Sequence, residues 1–180
     1  VKNINQIKRL CVFCGSKTGN NLKLQSTAVE LARHMAEAGI ELVYGGASVG
    51  LMGILADSVL KHNGKVHGVM PTFMKELEVA HHHLTHMHWV DSMHARKRMM
   101  YDLSDAFIAM PGGFGTLDEL FEILTWKQLA HHSKRIFVLN VDGYFNHLEK
   151  QVQAMVDFGF VSKEHQSYFE VISNSKALPF

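Results

Sequence analysis

The chain has 180 residues, 47% of them hydrophobic, with 18 basic against 17 acidic side chains and a formal net charge of +1. That size suits one compact domain over residues 1–180, and the interspersed charges leave no basic stripe of the kind that binds nucleic acid. No apolar run approaches the roughly 20 residues of a membrane span, and the polar start VKNINQIKRL does not read as a signal peptide, so a soluble, cytoplasmic protein with neither a membrane nor a nucleic-acid partner is expected.

Arg9–Cys14 reads as a strand and holds both cysteines, Cys11 and Cys14. Three steps along a strand cover about 10 Å and turn the side chains to opposite faces. A disulfide needs Cα atoms within about 7 Å, so buried thiols are expected rather than a redox pair. Leu22–Ala38 reads as a helix, with Ala28, Leu31, Ala32 and Met35 at helical spacing and Gly39 to end it. Glu41–Tyr44 is a strand, and GGASVGLMG leads into a helix ending near Asn63-Gly64. Val66–Met70 is a strand closed by Pro71, and His86–Val90 is a shorter candidate before a helix over Met93–Ser104. Ala106–Met110 is a strand, Thr116–His131 a helix and Ile136–Leu139 a strand; a helix over about His147–Phe158 and a short strand, Phe169–Ile172, complete the series. Strands alternating with helices predict an α/β fold, a single doubly wound parallel sheet with helices on both faces.

In such sheets ligands sit outside the carboxyl ends of the strands. The loops there are Gly15–Gly19, Gly45–Gly50 and Pro111–Thr116, all rich in Gly, Ser and Thr. Bare N–H groups at a helix N-terminus favour an anion, usually phosphate. A dinucleotide fold would carry G-x-G-x-x-G after the first strand, with an acid about 20 residues on, and neither is present. A P-loop needs Lys-Ser or Lys-Thr where Gly50 is followed by Leu51-Met52.

Two polar positions stand out. Thr116-Leu-Asp-Glu119 has the spacing of a capping box, with Thr116 as N-cap and Glu119 reaching back to it. At about 100° per residue, however, Glu119 heads a second stripe with Ile123, Trp126 and Ala130, opposite Leu117, Leu120, Phe121 and Leu124. Cap and chemistry both remain open on spacing. A helix with two apolar faces covers only one on its own sheet, so the Ile123–Trp126–Ala130 stripe predicts a second copy of the chain. Arg96 falls between Met93, Met100 and Leu103, inside an apolar stripe. It is either a snorkelling arginine or a fork turned into a site, and at least one of Lys97 and Arg98 is expected in solvent. His81-His82-His83, His86 and His88 lack the spacing of a zinc motif; surface histidines and no metal are expected. His131 and His132 close a helix and read as structural.

With these residues assembled, the chain resembles the LOG ("Lonely guy") family of cytokinin riboside 5′-monophosphate phosphoribohydrolases. The resemblance runs through Cys14-Gly15-Ser16, Tyr44–Gly53, Met93-His94-Ala95-Arg96-Lys97, Pro111–Glu119 and Leu139–Phe145. It implies a Rossmann-like fold, a homodimer, no metal or redox cofactor, and cleavage of the N-glycosidic bond of adenosine 5′-monophosphate or its N6-modified forms. Carried over by motif, it implies that Arg96 and Glu119 are catalytic. Gly15, Ser16, Gly45, Gly46, Lys97, Gly112, Gly113, Gly115 and Thr116 would bind substrate, and Glu78 and Thr125 would add nucleotide contacts. The pattern departs at Phe114, where Tyr is common, and at Ala47, where a third Gly is common. A nucleotide or molybdopterin-type carrier using the same loops without turnover is the alternative. A lysine decarboxylase, another label for such sequences, would need a lysine bound to pyridoxal phosphate, with Lys97 the nearest candidate.

Overall fold

The structure, a computed structural model, describes residues 7–77 and 79–180. Strands β1 (Arg9–Phe13), β2 (Glu41–Tyr44), β3 (Val66–Pro71), β4 (His86–Val90), β5 (Ala106–Ala109), β6 (Arg135–Leu139) and β7 (Glu170–Ile172) form one sheet. All neighbours are parallel, in the order β4-β3-β2-β1-β5-β6-β7. The chain winds outward from β1 in one direction and resumes at β5 in the other. The crevice of a doubly wound sheet therefore opens beyond the carboxyl ends of β1 and β5.

Helices α1 (Leu22–Glu37) and α2 (Gly50–Lys61) cover one face. Leu31, Met35 and Leu55 there pack with Leu10, Val12, Leu42 and Ile108. Helices α3 (Met93–Leu103), α4 (Phe114–Gln128) and α5 (Asn146–Asp157) belong to the other, where Met100, Leu120, Ile123 and Leu148 meet Cys11, Phe13, Val43 and Phe107. Alternate residues of β1 thus serve opposite cores, which is why the strands read as unbroken apolar runs. Cys11 and Cys14 are free and buried as expected, and burial pushes both thiols well up.

Local caps fix where helices begin. The Asn21 side chain accepts the Lys23 N–H, and Ser92 accepts the Ala95 N–H at 3.1 Å. Helix α4, like α2 and α5, begins without a side-chain cap. It starts at Phe114, two residues before the expected Thr116, with Gly113 at the N-cap and no side-chain cap bond. Thr116 is therefore inside the first turn and Glu119 beyond it. By then the backbone is already paired, since the Leu117 N–H donates to the Gly113 carbonyl at 3.3 Å. The capping-box reading of Glu119 is overturned.

The stripe expected to need a second copy is covered in part by the chain's own residues. Ile123 is 3% exposed and belongs to the chain's own core. Trp126 leans edge-on against Tyr101 with ring centroids 5.0 Å apart, and Ala130 lies past the helix end in a left-handed conformation, φ +57°. Only Ile123 is fully buried; Trp126 is half-buried and Ala130 exposed, so part of the stripe stays on the surface.

Candidate functional site

The three glycine loops meet. The Gly15 N–H donates to the Pro111 carbonyl at 3.2 Å, and the Met52 N–H to the Gly15 carbonyl at 3.4 Å. A Cβ on Gly112 would lie 2.1 Å from Thr116 Oγ1 and 2.8 Å from the Gly15 nitrogen; one on Gly50, at φ +64°, would lie 2.3 Å from the Ser16 carbonyl carbon. These approaches exclude any side chain. The Tyr144 hydroxyl braces the third loop by donating to the Gly112 carbonyl. Gly113 and Gly115 are glycines of another sort, since a Cβ on either would meet nothing within 4 Å. Between them Phe114 is 95% exposed. The uncapped start of α4 thus presents open space to an anion.

A cleft of about 640 Å³ lies there, bounded by Gly15–Lys17, Gly113–Thr116, Arg96, Lys97, Asp118 and Glu119, and also lined by Met52, Met70, Met74 and Met93. A second hollow of about 350 Å³ adjoins it across Gly15, Ser16 and Gly113, and Pro111, Gly112 and Tyr144 help line it. The methionine lining was not legible in the sequence, because an apolar residue facing a cleft has the same periodicity as one facing the core.

Arg96 is 8% exposed, so it does not snorkel. Its Nε donates to the Val69 carbonyl at 3.0 Å and its Nη2 to the Gly45 carbonyl at 2.7 Å. The guanidinium is thereby fixed against the ends of β2 and β3. Gly45 is required by this contact, because a Cβ there would lie 2.0 Å from Nη2. Neither Gly45 nor Gly46 lines the cleft itself; Gly45 stands behind Arg96, and Gly46 turns the chain at φ +79°.

Glu119 keeps some surface on the cleft while protein crowds its carboxyl elsewhere, and no hydrogen bond engages it among the described residues. Burial pushes the carboxyl up to about 7; Arg96 and Lys97 pull it down, Asp118 and Glu122 push it further up. Lys97 sits beside it with its side chain 12% exposed, paired to Asp118 and Glu122 at 3.1 Å each. Burial opposes its charge, but the two carboxylates prevail and hold its pKa above the usual lysine value. A lysine kept protonated is a poor imine former. Arg98 is the solvated member of the pair, bound to Asp102 on the helix surface at 2.9 Å.

Thr125 is exposed on α4, its hydroxyl turned back to the Phe121 carbonyl at 2.7 Å, and it is outside the residues lining the cleft. Glu78 lies outside the described residues. His81, expected at the surface, is buried with Nε2 at 2.9 Å from Asp57; His82, His83 and His86 are exposed and His88 is half-buried. His132 is structural, donating from Nε2 to the Ile123 carbonyl (2.9 Å) and accepting the Lys134 N–H at Nδ1 (3.1 Å). Burial lowers its pKa, so it is a neutral donor and not a charged helix end.

The chain as a whole is similar to known proteins. A family model described as "Possible lysine decarboxylase" matches residues 52–179. A protein of Oryza sativa subsp. japonica, named probable cytokinin riboside 5′-monophosphate phosphoribohydrolase LOGL3, is 45% identical over 158 residues, 88% of this chain and 75% of that protein. The chain belongs to the LOG family. Another member, the Arabidopsis thaliana cytokinin riboside 5′-monophosphate phosphoribohydrolase LOG7, is 43% identical over 176 residues, covering 97% of this chain and 80% of its own. Among solved structures, the molybdenum cofactor carrier protein of Chlamydomonas reinhardtii superposes with a TM-score of 0.71 over 95% of this chain and 92% of its own. At 20% identity that likeness concerns the fold alone, which is Rossmann-like as expected.

Proposed function

We propose that this LOG-family chain hydrolyses the N-glycosidic bond of a nucleoside 5′-monophosphate, adenosine 5′-monophosphate or an N6-modified relative, releasing the free base and ribose 5-phosphate. The observation that carries this reading is Glu119: not a cap, without a hydrogen-bond partner, and raised to about 7 beside the uncapped start of α4. The phosphate sits on the N–H groups of Gly113–Thr116, with Gly15 and Ser16 closing the loop around it. The ribose then lies toward Glu119. As the C1′–N bond breaks, charge develops on the sugar, and a nearby carboxylate stabilises it. Water attacks C1′ and gives its proton to Glu119, whose raised affinity for protons suits a base working near neutrality. Arg96 keeps its proton throughout and orients the substrate. Lys97 holds Asp118 in place, and the leaving base takes its proton from solvent.

The protein works as a homodimer in the cytoplasm, where free thiols such as Cys11 and Cys14 persist. Thr125, outside the cleft of its own chain, is available to a second copy. The deciding experiment is base release from adenosine 5′-monophosphate and from adenosine, each with chelator present. The nucleotide should yield base and ribose 5-phosphate, and the nucleoside should react about a hundredfold more slowly, or about 2.7 kcal/mol, as for a lost charge-assisted contact. Equal rates would remove phosphate from the glycine loops. Nucleotide binding without release would point to a carrier, the role named for the proteins that share the fold.

A further inference from the structure

Three histidines gather at the β4 edge of the sheet, on the face that carries α3. His67 on β3 and His86 on β4 are register partners, and His88 follows two residues later on the same face. Ring centroids are 4.7 Å apart for His67 and His86, 5.6 Å for His67 and His88, and 6.3 Å for His86 and His88. His67 Nδ1 and His88 Nε2 stand 3.3 Å apart. On its other side His67 Nε2 lies 3.0 Å from Glu41 Oε2. A carboxylate only accepts, so Nε2 carries the proton and Nδ1 turns its lone pair toward His88.

We infer that this cluster binds a divalent transition metal of the zinc class, held by His67 Nδ1 and His88 Nε2, with His86 as third ligand. Two nitrogens on one tetrahedral zinc, each at about 2.0–2.1 Å, are separated by about 3.3–3.4 Å, which matches the observed pair. Among the described residues no three ligating side chains already form a metal site; here His67 Nδ1 and His88 Nε2 stand 3.3 Å apart, and rotation of the exposed His86 ring supplies the third ligand. Glu41 provides the carboxylate that commonly stands behind a metal-bound histidine and fixes its tautomer.

The surrounding charges permit an ion. Arg9 and Lys65 both pair with Glu41, at 2.8 and 3.4 Å, and on α3 Arg98 pairs with Asp102. His88 opens onto a surface hollow of about 410 Å³ with Val90, Ala95 and Met99, which gives the ion a way in. None of the three histidines lines the glycine-loop cleft, so the site is separate from the proposed chemistry.

The test uses the full, untagged chain, stripped with chelator and titrated with Zn²⁺ alone and with Co²⁺ alone. One ion per chain is expected, with Co²⁺ giving the ligand-field absorption of a low-coordinate nitrogen site. His88→Ala should weaken binding about tenfold or more, and Glu41→Gln by about tenfold, the usual effect of removing a supporting carboxylate. Because His67 is 5% exposed and its loss disturbs the core, His86→Ala and His88→Ala at the more open positions carry the argument. His82→Ala with His83→Ala should leave affinity unchanged. Absence of saturable one-to-one binding overturns the site, as does binding that survives His88→Ala and disappears with His82 and His83.

Discussion

Replacing Glu119 by glutamine separates chemistry from architecture because it has opposite effects on the two. Raising a carboxyl from 4.5 to about 7 makes its ionisation about 3 kcal/mol costlier in the folded protein than in the unfolded chain. The sign follows from the direction. Below about pH 4.5 the group is neutral in both states and costs nothing; between about 4.5 and 7 the unfolded chain ionises while the folded protein does not, so stability falls across that window and the full cost is present above about 7. Glutamine never ionises. Urea unfolding should therefore find Glu119→Gln equal to the parent at pH 4 and more stable by up to about 3 kcal/mol at pH 8. Base release should meanwhile fall by orders of magnitude, since a fixed charge beside the reacting centre is often the largest catalytic contribution. In the parent protein the same ionisation predicts a turnover rate that rises with pH and levels off above about 7. A variant less stable than the parent at pH 8, with near-normal turnover, would show that Glu119 holds the fold instead.

Arg96→Ala leaves the Gly45 and Val69 carbonyls without their donor, so a stability loss of roughly 2–4 kcal/mol should accompany loss of base release, and Arg96→Lys, which can serve one carbonyl, should lose less of each. Normal turnover per folded molecule in Arg96→Ala would make that arginine purely structural. Gly45→Ala forces a Cβ into Nη2 and should reproduce much of the Arg96→Ala defect although no charge is removed; full activity would mean the guanidinium has slack there. Light scattering should give the mass of a dimer at micromolar concentration, and Thr125→Arg, placed on the exposed side of α4, should shift it toward monomer; an active monomer would end the shared-site reading.

What the sequence made legible was whatever repeats or punctuates. The seven strands and five helices follow from apolar runs and their period, and all boundaries but the end of α4 lie within about two residues of expectation. The loops were legible because glycine has few other reasons to cluster after strands. Contacts made through the backbone were hidden: nothing in Gly45 announces Arg96, and nothing in Gly112 announces Gly15. The start of α4 was misread because Thr-x-x-Glu carries the same letters whether it caps a helix or lies inside one. His67 escaped notice because its partners Glu41 and His88 join it only through sheet register.

A helix normally ends in groups supplied by its own chain, and α4 lacks that closure at Gly113. In the function proposed above, its first turn is completed by the phosphate of the substrate. The vacancy makes occupancy and folding one equilibrium at this end of the helix, so an anion that fits there also tightens the turn from which Glu119 projects. Affinity for the remote group and order at the reacting centre are then a single property of the backbone. A side-chain cap added at Gly113 to stabilise the helix would compete with the ligand for the same N–H groups.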